Sequence, residues 1–592
     1  MEGPGICQVK SEFILPAVTR EINLSHVSNT DKRKLEQHNE ESTEKNAENV
    51  ESSSKRQRLS KAEKKKLRGQ NKSRAPTYVT NRSKELCICM IDVPEGNDIP
   101  GCNRNKCNFI HDIDNYLTIK PKDIGEHCYN FETFGKCNRG LACRFGSEHI
   151  TPSGRNIINE QLYSKYELQT RNNLGKELQL SLKKRHYDFK LAEQLVKHHD
   201  HLKKEKSEQP VQKPIVSNNV TQGAITDEDI IKLRQREKRK IDWSDKLYLS
   251  PLTTVGNLPF RRICKEYGAD ITCGEMAMCS SLLQGESSEW ALVKRHKSED
   301  LFGIQLCANN SFLLTKCGQL LLNEIDVDFV DLNMGCPIDL VYRQGGGCGL
   351  LHRERALELC IRSMSDILTV PFTVKTRTGV YSGKNIAHTM APKFREWGVS
   401  MLTIHGRSRE QRYTKQADWN YIQTVAEAAS PMPVFGNGDI LSYEDYIKAR
   451  EVAPAISGVM IGRGALIKPW IFQEIKETKL YDISSSERFD ILKKYVNYGL
   501  EHWGSDNKGV ENTRRFLLEW LSFLYRYVPV GLLEDPPQKI NQRPPHFRGR
   551  DDLETLMASP SASDWIKISE MLLGPVPENF QFLPKHKANS YN

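Results

Sequence analysis

Phe329-Val330-Asp331-Leu332-Asn333-Met334-Gly335-Cys336-Pro337 decides how the middle of this 592-residue chain is read. A short run of strand-forming residues, Phe329–Leu332, stops in a turn carrying an amide, a glycine, a thiol and a proline. Aromatic and β-branched residues suit a pleated, buried segment, and Gly and Pro end it.

The same unit recurs on both sides. Apolar runs at Leu247–Leu249, Ala269–Thr272, Phe302–Leu306, Phe329–Leu332, Phe372–Val374, Met401–Ile404, Pro433–Phe435 and Gly458–Ile461 alternate with longer helical stretches. Their spacing leaves room for a strand and a returning helix, which calls for parallel strands with right-handed crossovers. Eight such units in about 220 residues predict an α/β fold, a closed (β/α)8 TIM barrel. An open doubly wound sheet is the alternative.

Barrel enzymes gather reactive groups at the carboxyl ends of the strands. Here the first run leads into Ser250-Pro251-Leu252-Thr253-Thr254-Val255-Gly256-Asn257, and the third ends in Gln305-Leu306. The fourth leads into Asn333 and Cys336, the fifth into Lys375-Thr376-Arg377-Thr378-Gly379 and the sixth into His405-Gly406-Arg407. The last two lead into Gly436-Asn437-Gly438-Asp439 and Gly462-Arg463-Gly464. Taken singly, either glycine turn is an ordinary turn. Together, at the last two strand ends, they favour a phosphorylated cofactor such as FMN, with Arg463 able to reach phosphate in bidentate fashion. A lone cysteine is commonly a small core residue. At a strand end, Cys336 suits a nucleophile if its pKa is lowered and a general acid if the thiol stays intact.

Outside the barrel the composition changes. The net charge of +10 is mild for this length and proves no polyanionic partner. A polar stretch ends in a basic run from Lys55 to Arg74, which reads as a disordered tail, an import signal or an RNA tether. Seven of the 16 cysteines lie between Cys87 and Cys143. Cys128, Cys137, Cys143 and His149, spaced C-x8-C-x5-C-x5-H, suit a closed structural Zn2+ site. Cys102, Cys107 and His111 suit a second, with Cys87 favoured over Cys89 as its first ligand. Tyr129, Phe131, Phe134 and Phe145, with Lys136, Arg139 and Arg144, are residue types that stack on and neutralise single-stranded RNA. Many thiols without a signal-peptide pattern, and no apolar run of bilayer length, point to an intracellular protein off the membrane.

These motifs converge on a family. Asn333-Met334-Gly335-Cys336-Pro337 followed by Gly345-Gly346-Gly347, then Lys375-Thr376-Arg377-Thr378-Gly379, then His405-Gly406-Arg407 with Gln411-Arg412-Tyr413, resembles the tRNA-dihydrouridine synthases. Pro251 to Cys264 and Cys336 to Leu351, with CCCH fingers ahead of them, resemble the eukaryotic class that acts on the tRNA variable loop. Ser250 departs from the alanine more common before that proline.

The resemblance implies that NADPH or NADH reduces FMN, that the flavin gives a hydride to C6 of a uracil, and that Cys336 gives a proton to C5. It implies that Pro251, Leu252, Thr253, Gln305, Lys375, His405, Asn437, Gly438, Asp439, Gly462 and Arg463 bind FMN, while Asn333 and Arg377 orient the base. The expected layout is a basic disordered tail (1–84), two zinc fingers (85–150), a basic helical segment and linker (151–240), the FMN-binding barrel (241–476) and a helical tRNA-binding domain (477–592). In that last part Arg514, Arg515, Arg526, Lys539, Arg543 and Arg548 are candidates for phosphate contacts. tRNA is the expected partner, with mRNA left open. A monomer in nucleus and cytoplasm is expected.

Overall fold

Eight parallel strands form where the apolar runs place them. In the computed structural model they are β1 Lys246–Leu249, β2 Thr272–Cys273, β3 Phe302–Cys307, β4 Phe329–Asn333, β5 Phe372–Arg377, β6 Met401–His405, β7 Val434–Asn437 and β8 Gly458–Ile461. Pairing runs β1-β8-β7-β6-β5-β4-β3-β2, and a single parallel bridge, Tyr248↔Ile271, links the two ends into a nearly closed barrel. The parallel register sets strand ends side by side: Asn333 opposite Lys375, Arg377 opposite His405, and His405 opposite Asn437. Residues 5–15, 78–208 and 238–585 are described, apart from 412, 414 and 579. The basic run Lys55 to Arg74 and most of the expected linker lie outside the described residues.

The amino-terminal end of the barrel is plugged. Tyr248, Phe329 and Phe435 project inward, and Trp243 meets Phe329 edge-on at 5.5 Å and Phe435 at 6.3 Å. Glycine makes room for these rings: a Cβ on Gly303 would stand 2.2 Å from the Phe329 ring. Ligands therefore enter from the carboxyl end.

The helical part is joined to the barrel. Helix Ser485–Trp503 opens with a capping box between Ser484 and Glu487, and helix Asn507–Leu524 packs against it. Trp520 stacks edge-on with Phe260 of the barrel at 5.2 Å and donates its indole N–H to Leu466 O at 3.0 Å. The stretch 5–15, which the sequence places with the tail, docks here: Cys7 N donates to Arg543 O, and Cys7 and Val9 are buried against Val528, Leu532 and Phe547. Arg514 is not a phosphate contact. It is buried and donates to the carbonyls of Leu573 and Gly574, which end helix Ala562–Leu573. Arg526 donates to Ile540 O, while Lys539, Arg543 and Arg548 are exposed.

Under the barrel wall, buried Arg261 forks onto Glu299, with Nε to Oε1 at 2.7 Å and Nη2 to Oε2 at 3.1 Å. Glu299 also accepts from Thr272 Oγ1 at 2.8 Å and His296 N at 2.9 Å. Losing one partner strands the other charge. Glu299→Ala is expected to cost about 3–5 kcal/mol, read as a drop in the urea midpoint, and Arg261→Met with Glu299→Met together to cost less.

Candidate active site

The site begins inside β4. Asp331, a carboxylate in an otherwise apolar strand, is fully enclosed in the barrel and accepts from Thr373 Oγ1 at 2.7 Å and Gln305 Nε2 at 2.8 Å. Burial pushes its pKa up to about 6. With its amide nitrogen so engaged, Gln305 presents Oε1 to Asn333 Nδ2 at 2.7 Å. Asn333 in turn accepts through Oδ1 from the backbone N–H of Gly335 at 3.1 Å and Cys336 at 2.8 Å. Arg377 completes the brace, donating from Nε to Gly335 O at 2.8 Å and from Nη1 to Ser408 O at 2.9 Å. Asn333 and Arg377, expected to orient a base, thus hold the cysteine loop.

Cys336 packs with Cys307, Val341, Met276 and Met278. Burial raises its thiol pKa above the ordinary value, against the opposing pull of Arg377, Lys375 and Arg409. That selects the protonated thiol from the two roles the sequence leaves open.

Across the mouth the groups are cationic. Burial and the adjacent Arg377 bring Lys375 down to about 8. His405 is held neutral by burial and by Arg377, Lys375, Arg407 and Arg463 around it. Lys375 Nζ reaches Asn437 Oδ1 at 3.4 Å, and Asn437 Nδ2 donates to Met460 O at 2.8 Å. Asp439 takes both of its close contacts from Arg407, at 2.6 and 2.7 Å, and one from Arg463 at 2.9 Å. Its carboxylate, which also accepts from Ala417 N at 2.8 Å, aims both arginines. Gly438 sits at φ +152°, where a Cβ would stand 2.3 Å from Ala417 Cβ, so the seventh turn requires glycine. Among the described residues, Lys375, Arg407, Arg463 and Arg377 outnumber Asp331 and Asp439 here, a positive excess that suits an anionic ligand.

A family model described as Dihydrouridine synthase (Dus) matches residues 248–523. The curated protein tRNA-dihydrouridine(47) synthase [NAD(P)(+)]-like of Xenopus tropicalis is 56% identical over 549 residues, covering 90% of this chain and 84% of that one. Its namesakes from Homo sapiens and Oryza sativa subsp. japonica are 53% and 43% identical, over 89% and 86% of this chain and 84% and 86% of theirs.

The chain belongs to the dihydrouridine synthase family.

The loop after β1 in this family member, which carries Pro251, Leu252 and Thr253, is fixed from three directions. Thr254, at φ +78°, donates its N–H to buried Glu275, and its carbonyl accepts from Asn257 Nδ2 at 3.1 Å. Lys585, near the end of the described chain, reaches Thr254 Oγ1 at 2.7 Å. The sequence reading passed over both. Glu275 follows the second apolar run, so an acid at a strand end was a usable signal; nothing local marks Lys585.

Two Cys/His clusters lie beside this core. The ligand atoms of Cys128, Cys137, Cys143 and His149 fall within 4.8 Å of one another, all buried. His149 Nδ1 lies 3.1 Å from Asn156 Oδ1, and its Nε2 is buried without a hydrogen-bond partner, as a ligating imidazole requires. Ser505, in the turn between the two long helices, lies 3.1 Å from Cys143 Sγ and 3.3 Å from Cys137 Sγ. The residues expected to touch RNA are largely engaged in packing: Phe145 is buried, Phe131 lies against His149, Lys136 pairs with Asp92, and Arg144 reaches Asn507. In the first cluster Cys87, Cys89, Cys102 and His111 converge within the same limit, so both Cys87 and Cys89 belong to the group and the expected Cys107 does not. Cys107 Sγ stands 3.7 Å from Cys87 Sγ.

A thiol raised by burial reacts slowly at neutral pH. Carbamidomethylation of Cys336 by iodoacetamide, followed by peptide mass mapping, is expected to lag an exposed thiol at pH 7.5 by about tenfold or more and to accelerate as pH rises past 9. Rapid labelling at neutral pH would show a thiolate instead.

Proposed function

We propose that this protein is a flavin-dependent oxidoreductase that uses NADPH or NADH to reduce the 5,6 double bond of a tRNA uridine, at variable-loop position 47 as in the relatives' names. The observation that carries it is the pairing of a protonated thiol with a cationic, glycine-turned wall at one mouth of a barrel closed at its other end.

The donor set fits FMN. Lys375 would hold the end of the ring that gains negative charge on reduction. Arg463, aimed by Asp439, and the turns at Gly438 and Gly462 would hold the phosphate. Pro251, Leu252 and Thr253 would form the wall braced by Glu275, while Gln305, Asn437 and neutral His405 line the interior. When bound, the flavin supplies the hydride for the double bond. Cys336 retains its proton until the base is seated and then delivers it to C5 as general acid. Asn333 and Arg377 fix the loop so that the thiol is aimed. The uridine reaches this depth only when extruded from its stack. Each Cys/His cluster would hold one structural zinc, with Asn156 fixing the His149 tautomer in the second. tRNA grip then falls to the exposed cations of the helical part and to the basic run of the tail, which also suits residence in nucleus and cytoplasm.

Dihydrouridine mapped across cellular tRNA with and without the gene tests the reaction; unchanged modification would end this reading. Cys336→Ala is expected to keep its flavin and lose about 10²–10⁴-fold in turnover, and wild-type rates would remove the proton donor. Affinity of the apoprotein for reduced FMN is expected to hold below pH 8 and fall above it, because Lys375 must be protonated to meet the negative charge of the reduced ring. Lys375→Arg is expected to flatten that fall, since guanidinium stays charged.

A further inference from the structure

Six large apolar side chains are exposed among the described residues 241–476: Phe312, Ile338, Leu340, Tyr381, Tyr413 and Ile447. Four of them, all but Phe312 and Ile447, lie on the loops that follow β4, β5 and β6 at the open mouth. Exposed apolar groups concentrated on one rim mark a binding surface.

On one sector of this rim the aromatics are built into a stack. Tyr381 is 47% exposed and leans on the exposed His352, with ring centroids 5.8 Å apart and planes at 49°. His352 meets Tyr342 edge-on at 6.1 Å. Behind them Arg409 lies over the Tyr342 ring at 3.9 Å and is tied to Asp339. Val341, the residue before Tyr342, packs with Cys336, so the aromatic cluster adjoins the thiol. Lys384 and Arg343 are exposed beside it. Aromatic faces flanked by cations suit unpaired nucleobases and their phosphates.

We infer that Tyr381 and His352 form a platform that receives an unpaired base next to the target uridine, with Lys384 and Arg343 against the adjoining phosphates. This rests on the proposed reaction on tRNA. Pulling one base into a barrel removes a stacking partner from each neighbour, and an exposed aromatic beside the mouth supplies a replacement. The other nucleobase in the reaction, the adenine of NADPH, would use the same chemistry, and the test separates the two.

The full chain carrying FMN is irradiated with tRNA bearing 5-iodouridine one nucleotide to either side of the target, and the adduct is mapped by peptide mass spectrometry. A crosslink to Tyr381 is expected, lost in Tyr381→Ala and kept in Tyr381→Phe. The KM for tRNA is expected to rise about tenfold in Tyr381→Ala with kcat less affected, and Tyr381→Phe to restore it. Crosslinks confined to other loops, or an unchanged KM, would overturn the platform. Slower reduction of the flavin by NADPH without tRNA in Tyr381→Ala would also overturn it, assigning the surface to the dinucleotide. Absence of dihydrouridine from the wild type would instead overturn the reaction, and the crosslink would still decide what the platform binds.

Discussion

A buried carboxylate fixes the position of the reactive thiol through two amides. Asp331 holds Gln305, Gln305 holds Asn333, and Asn333 accepts the N–H groups of Gly335 and Cys336. Each amide in the chain is engaged through both its oxygen and its nitrogen, so no member can rotate without leaving a buried polar group unpaired, at a cost of about 1–3 kcal/mol. The thiol is thereby aimed from the strands of the barrel. The same enclosure that makes these hydrogen bonds strong also keeps the sulfur protonated.

The opposite wall works by charge. Five basic side chains converge on one mouth, and burial alone would drive protons off them. His405 yields and is neutral, Lys375 falls to about 8, and Asp439 ties Arg407 and Arg463 together. A site so arranged is incomplete without an anion. The aromatic plug around Trp243 and Phe329 bars entry from the far end.

Segments far apart in sequence hold this core. The second Cys/His cluster is joined to the turn between the two long helices through Ser505 and Arg144, Cys7, Lys10 and Leu15 pair with Arg543, Leu532 and His546, and Lys585 returns to the loop after β1. The cluster, the helices and the barrel mouth are thus connected through hydrogen bonds between segments far apart in sequence.

Periodicity and composition were enough for the barrel, because a strand buried on both faces must be apolar and must end where glycine, proline or a polar group interrupts it. The eight runs and their strand-end residues follow from that rule, while ligand spacing alone foretold the convergence of Cys128, Cys137, Cys143 and His149. What a side chain does once it arrives depends on neighbours that pattern cannot supply. Arg514 looks like any helical cation until its guanidinium is seen capping a buried helix end, and the run around Asn333 gives no sign that Gly335 and Cys336 donate to it. Lys585 gives no local sign of touching Thr254, more than three hundred residues earlier. Hydrogen bonds and desolvation act over a few ångströms in space, and only the folded chain sets which residues share that distance.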